Sequence, residues 1–219
     1  MNDTRIHHEW TSPKLNFRTG VSLHSHTLHS KESLDFIYKV AIRVPALGMF
    51  LKRGEQQYER HHGHPLDLRN GWWTPPLGPA EALRVESAQI TQYGMKPIVS
   101  LTDHDDVEAP ISLVAVDPVR DIPVSTEWTV PFGKGFFHLG VHNLPARDAR
   151  RIMSALGAYT ANPVESTLIG ILSWLNGLSG SLVVFNHPMW DEKGLGDDVH
   201  RSNAMRFLRV YGKYLHALE

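Results

Sequence analysis

The chain has 219 residues, 42% hydrophobic and 21% charged, a balance that excludes wholesale disorder and is long enough to bury a sizeable core. With 22 basic and 23 acidic residues the net charge is −1, so no global field favours nucleic acid or an anionic membrane. There is no cysteine, which removes disulfides, thiolate catalysis and iron–sulfur clusters, whereas 14 histidines direct attention to metal and acid–base chemistry.

Residues 1–19 are polar, carry His7 and His8, lack the basic-then-apolar order of a signal peptide, and read as an extension ahead of a domain over 20–219. No apolar run approaches the roughly 18 residues that span a bilayer, and the expected location is the cytoplasm. Residues 20–23 form a short apolar run that ends at His24 and read as a buried strand. A helix follows over 33–51, interrupted near Pro45. Residues 52–78 are polar and turn-rich, with three histidines and two tryptophans, and read as an insertion or lid. The spacing then predicts a helix over 79–93, opened by Pro79 and closed by Gly94, and a strand over 96–101 leading into Asp103. Strands over 122–125, 135–137 and 181–185 lead into Glu127, His138 and His187, with helices over 145–156 and 163–176 between the last two. Strand–helix alternation predicts an α/β protein with a largely parallel sheet, open or closed into a barrel. There is no P-loop, no G-x-S-x-G and no G-x-G-x-x-G after a strand, so NTPase, serine-hydrolase and dinucleotide-binding functions lack support.

Each predicted strand runs out near a residue able to hold a cation: His24 and His26, His104, Glu127, His138 and His187. In a parallel barrel the C-terminal strand ends share one mouth, so these distant positions would converge. Within an extended segment residues i and i+2 point the same way, which lets both imidazoles of His24-Ser25-His26 reach one ion. A single H-x-H is weak evidence; here the other strands carry matching residues.

His24-Ser25-His26-Thr27, Thr102-Asp103-His104-Asp105, Glu127 with His138-Leu139-Gly140, and Asn186-His187-Pro188, in that order, resemble the polymerase and histidinol phosphatase (PHP) superfamily. The resemblance implies a distorted TIM-like (β/α)7 barrel and a metal-dependent phosphoesterase that hydrolyses a small phosphorylated metabolite or nucleotide through metal-bound hydroxide. It implies two or three divalent ions held by His24, His26, His104, Glu127, His138 and His187, with Glu127 bridging and Asp103 orienting His104 or the reacting water. Asp103 and Glu127 are therefore the catalytic candidates. A carboxylate suits a bridge because its two oxygens can each serve a different cation, and a nitrogen-rich donor set suits Zn, Mn or Fe better than Mg or Ca.

Three departures accompany the resemblance. Lys31 stands where the family carries an Asp, with Glu32 as a substitute; the stretch from His26 to His104 is unusually long; and the family's last Asp-x-His is not in its place. Residues 214–219 resemble the strand before that motif, so a barrel lacking its C-terminal part is expected, and Asp198-Val199-His200 reads as a chance match. Amidohydrolases also place H-x-H after a first barrel strand, and a PHP-like scaffold that has lost its metals is a non-enzymatic alternative. Among other residues, His61, His62 and His64 fit a solvated loop better than a closed zinc site. Arg53, Arg60 and Arg69 suit a phosphate contact, and His142 suits a substrate contact on the rim beyond its strand. Trp72 and Trp73 are expected to pack the lid onto the body, and Trp128 to pack behind Glu127.

Overall fold

The computed structural model describes residues 17–34, 37–38, 41, 44–68, 71–118 and 121–219; His7, His8, Arg69 and the side chain of Glu32 lie outside that description. In chain order the elements are β1 (Thr19–Ser22), β2 (Glu32–Ser33), α1 (Pro45–His62), β3 (Trp72–Trp73), α2 (Pro79–Thr91), β4 (Lys96–Val99), α3 (Glu108–Val116), β5 (Val124–Phe132), β6 (Gly135–Leu144), α4 (Ala149–Ala161), α5 (Glu165–Asn176), β7 (Leu182–Asn186), α6 (Asp197–Tyr211) and β8 (Ala217–Leu218). The architecture is mixed α/β.

Two parts of the chain build the site. In the first, β1 pairs in parallel with β4, and the pairing runs on past the strand ends through Ser100 N–H to Ser22 O and Thr102 N–H to Ser25 O. In the second, β5, β6 and β7 are successive antiparallel neighbours and β8 adds in parallel to β7. A single parallel bridge between His104 and Glu127 joins the two parts. β2 and β3 form a separate two-residue antiparallel pair.

This corrects the expected parallel barrel: the described strands do not close into a barrel, and the longest ones are antiparallel. The reason is local. Gly133 has φ +59, a conformation open to glycine, and only two residues separate β5 from β6, far too few for the crossover that parallel neighbours need. Glu127 and His138 accordingly lie inside the hairpin, not at strand ends.

The hairpin is buried on both faces, and its period of two sorts them. Trp128, Val130 and Phe132 on β5, Phe137, Leu139 and Val141 on β6, and Val183 and Phe185 on β7 enter one hydrophobic core with α4, α5 and α6. The alternate residues, among them Glu127, His138, Gly140, His142 and Asn186, face the other way. A smaller core of Ala82, Leu83, Val99, Leu101, Ala109 and Ile122 fills the space around α2, β4 and α3.

The predicted insertion starts inside a helix. Pro45 sits in the first turn of α1, where its missing N–H costs nothing, so the interruption foreseen near Pro45 is the beginning of α1, which then runs through residues 52–62. It stops at Gly63, in the left-handed region at φ 75, whose N–H caps Glu59 O. The helix foreseen over 145–156 is α4, displaced towards the C-terminus.

Phe207 is the hub of the larger core, with ring centroids 5.2 Å from Phe132, 5.3 Å from Phe137, and 5.0 Å from both Phe185 and Tyr211. Phe207→Ala should lower unfolding free energy by about 3–5 kcal/mol in a urea titration, because a void replaces packed rings.

Candidate metal centre

Glu127 is fully buried, and a buried carboxylate demands compensation. Five imidazoles surround it in a closed ring. Neighbouring centroids lie 4.9 Å apart for His24–His26, 4.8 Å for His26–His104, 4.7 Å for His104–His138, 5.2 Å for His138–His187 and 5.5 Å for His187–His24. The two carboxylate oxygens divide them. Oε2 lies 3.1 Å from His24 Nε2, 3.3 Å from His26 Nε2 and 3.6 Å from His104 Nε2. Oε1 lies 3.0 Å from His187 Nε2 and 3.8 Å from His138 Nδ1, and accepts a hydrogen bond of 2.9 Å from Asn186 Nδ2. All six residues line one cavity of about 470 Å³, with Trp190 and Glu192 on its wall.

Different local devices bring these side chains together. The bridge to β5 is held by Glu127 N–H to Asp103 O and Asp105 N–H to Glu127 O, at 3.1 and 2.9 Å, which fixes His104 beside Glu127. Directly across the ladder from Glu127 stands Gly140. A Cβ there would come within 2.6 Å of His142 Nε2 and 2.9 Å of Asn186 Oδ1, so only glycine leaves these two side chains their places. His187 has φ +30 and Asp105 φ +51, strained values for residues with a Cβ. His200, at 5% exposure, holds Pro188 O at 2.9 Å through Nε2 and thereby pins the turn that carries His187.

The donor set fits divalent cations. His24 Nδ1 faces Glu219 Oε2 at 2.9 Å and His26 Nδ1 faces Ser30 Oγ at 3.2 Å, so in each ring Nε2 is the nitrogen turned to the cluster. The two Nε2 atoms are 2.9 Å apart, and a pair of ligands at metal–nitrogen lengths of about 2.0–2.1 Å is separated by roughly 2.9–3.4 Å. His24, His26 and Glu127 form one compact donor triad, and His104, Glu127 and His138 another.

Electrostatics follow from the packing. Burial would raise the Glu127 carboxyl, but hydrogen bonds from His187 and His24 and the nearby imidazoles hold it well below the usual carboxylate range. Burial would lower His24, but Glu127 and then Glu219 overcome it and push the imidazole up to about 9. His142 moves the other way, down to about 4, through burial and the proximity of His24.

Several expected residues have other places. Asp103 is fully buried, and both its oxygens face Thr27, at 2.5 Å from N and 2.7 Å from Oγ1. It anchors the loop behind His26, where a group orienting His104 or a reacting water had been expected. His142 is no rim residue: it lies within β6 at 3% exposure, with Nδ1 2.8 Å from Ser100 Oγ. Arg60 is exposed on α1 with Nε on Gln56 O, and Arg53 lines a separate cavity with Met49 and Phe50. Trp72 and Trp73 are 59% and 51% exposed, so they do not pack as a seal. Trp128 is buried, with Nε1 on Thr160 Oγ1 and Leu156 O. His200 lies outside the cavity residues, and Asp198 stands in the first turn of α6. Ser30, Asn186, Trp190 and Glu219 had no role assigned; for Asn186 the signal was its place one residue before His187.

No protein-family profile matches this sequence, and no curated protein matches it significantly. Among solved structures it is similar to an amidohydrolase from Chromobacterium violaceum with bound sulfate and no metal, at 14% identity and a TM-score of 0.44, over 90% of this chain and 75% of that one. A likeness of that degree assigns neither bond nor substrate.

Because the folded His24 lies above its ordinary 6.5, its pairing stabilises the metal-free protein fully below that pH and is lost as pH rises through about 9. The urea midpoint of metal-free protein should therefore fall between pH 6.5 and 9, and His24→Ala should remove most of that fall. A cation held by His24 would displace its proton, so zinc titration near pH 7.5 in weak buffer should release at least one proton per chain.

Proposed function

We propose that this chain is a metal-dependent hydrolase acting on phosphoric esters of small molecules. The observation that carries the reading is the buried Glu127 carboxylate inside a closed ring of five imidazoles. Divalent cations bound there would supply Lewis acidity and make water a nucleophile near neutral pH. His24 and His26 with Glu127 would hold one cation and His104 and His138 with Glu127 another, with His187 beside the carboxylate. Glu127 stays ionised, so both its oxygens remain available. Asn186 donates to Oε1 and fixes the plane of the carboxylate. Asp103 and Ser30 keep the loop over 24–30 in register with His104, the first through Thr27 and the second by accepting His104 N–H while touching His26 Nδ1. Zn, Mn or Fe suits these nitrogen donors.

Amide-bond hydrolysis of the amidohydrolase kind is the second reading, favoured by the placement of His24-Ser25-His26 one residue past β1. The phosphoester reading stands first because Thr102-Asp103-His104 and the spacing from Glu127 to His138 resemble the PHP pattern better than the amidohydrolase one. A screen of phosphomonoesters, phosphodiesters and N-acyl compounds with Zn, Mn and Fe separates the two. A protein that binds no metal under those conditions supports the inactive scaffold. Glu127→Gln should lose metal and at least about 100-fold of turnover together, because the amide keeps one acceptor oxygen and no charge. Wild-type metal content and rate in that variant would refute the central role of Glu127.

A further inference from the structure

A second cavity, of about 330 Å³, adjoins the cluster and shares His104 and His138 with it. Its wall is mixed, with Phe136 beside His29, Lys31, Asp105, Asp106 and Thr129. The two carboxylates already have partners: Asp105 Oδ1 accepts Thr129 N–H at 2.8 Å and Asp106 Oδ1 accepts Glu108 N–H at 2.6 Å. Lys31 is different. Its ammonium lies 5.3 Å from the centroid of the Trp72 ring, and no carboxylate among the described residues pairs with it. A cation resting on an indole face keeps its charge available while losing some of its freedom, which suits it to an anionic group.

The larger cavity adds another chemistry, with Trp190 and Glu192 beside the imidazoles. Trp190 lines the larger cavity beside the imidazoles yet is 60% exposed. The segment carrying it is held at several points. Trp190 N–H donates to His187 O at 2.9 Å, the Asp191 carboxylate accepts Leu195 N–H and Gly196 N–H at 3.0 and 2.8 Å, and His200 holds Pro188 O. A large apolar ring on a fixed turn at the mouth of a polar cluster, contributing little to the core, is built for contact with a flat partner.

We propose that the substrate lies across the histidine cluster with an anionic group on the Lys31 side and an aromatic group against Trp190. Lys31 and Trp190 are then specificity-determining residues, one for charge and one for the ring. The inference rests on the hydrolase reading for its location, since the same cluster is the reacting centre. It adds the substrate class: aromatic compounds bearing a phosphate-like anion.

The test measures binding, so it stands apart from turnover. Phenylphosphonate and ethylphosphonate, whose carbon–phosphorus bonds such a hydrolase does not cut, are titrated calorimetrically into the zinc-loaded protein. Wild type should prefer the phenyl compound by about tenfold, the scale of one stacked ring. Trp190→Ala should abolish that preference with ethylphosphonate affinity unchanged, and Trp190→Phe should retain it. Lys31→Met should weaken both compounds alike by roughly threefold, with the loss shrinking at high salt, and Lys31→Arg should restore them. Equal binding of both compounds by wild type, equal loss of both in Trp190→Ala, or an unchanged Lys31→Met would each overturn the inference. A protein that shows the expected binding pattern but hydrolyses no ester or amide overturns the hydrolase reading alone.

Discussion

A carboxylate cannot sit fully buried in a protein interior without positive charge or hydrogen-bond donors around it, and Glu127 is such a group. Everything near it answers that demand. Imidazoles come from the loop after β1, from the segment after β4, from the middle of β6 and from the end of β7, and an amide comes from Asn186. Without metal, the protonated His24 is part of the compensation. Bound cations would take over that role and leave the histidines as neutral donors. The same geometry serves both states because each ring offers a nitrogen that can carry either a proton or a lone pair. The imidazoles are thus a requirement of the buried carboxylate itself, whatever else the cluster does.

The hairpin makes the arrangement possible by dividing its two faces between stability and chemistry. On β5 the residues on either side of Glu127 are Thr126 and Trp128, both turned towards the core, where Thr126 meets Met153 and Trp128 meets Tyr159. The apolar face holds the strands rigid while the polar face keeps only a few side chains. Gly140 is the point where the two requirements meet, since any side chain there would displace the residues that surround the carboxylate.

Much of the site was legible in the sequence because metal-binding residue types are few and they recurred after apolar runs. His24, His26 and His187 do follow strands, and parity alone pointed His24 and His26 in one direction. Glu127 and His138 were found for a different reason than the one assumed. They lie within strands, and what the sequence concealed was the reversal at Gly133, a turn of two residues that an apolar-run analysis reads as a mere gap. The parallel-barrel expectation failed at the same place. Ser30 and Asn186 were hidden because their roles are hydrogen bonds to residues far off in sequence, and small polar residues carry no pattern that announces such partners. Lys31 was legible as a departure from a motif, but its pairing with Trp72 depends on the contact of β2 with β3.

The single bridge between His104 and Glu127 has a consequence for how the molecule opens. The smaller core around α2, β4 and α3 and the larger core behind the hairpin are separate clusters of buried side chains. Strand pairing between them narrows to one residue on each side, at the cluster itself. Cations shared across that seam would tie the two halves into one cooperative unit. Without them the halves are joined by lesser links, among them Ser100 Oγ to Ser125 Oγ and Val114, which packs against both cores, and each fluctuates more on its own. Amide hydrogen exchange would then show two protection levels in metal-free protein and one in the loaded form, so that occupancy of the site governs whether the chain behaves as one foldon or two.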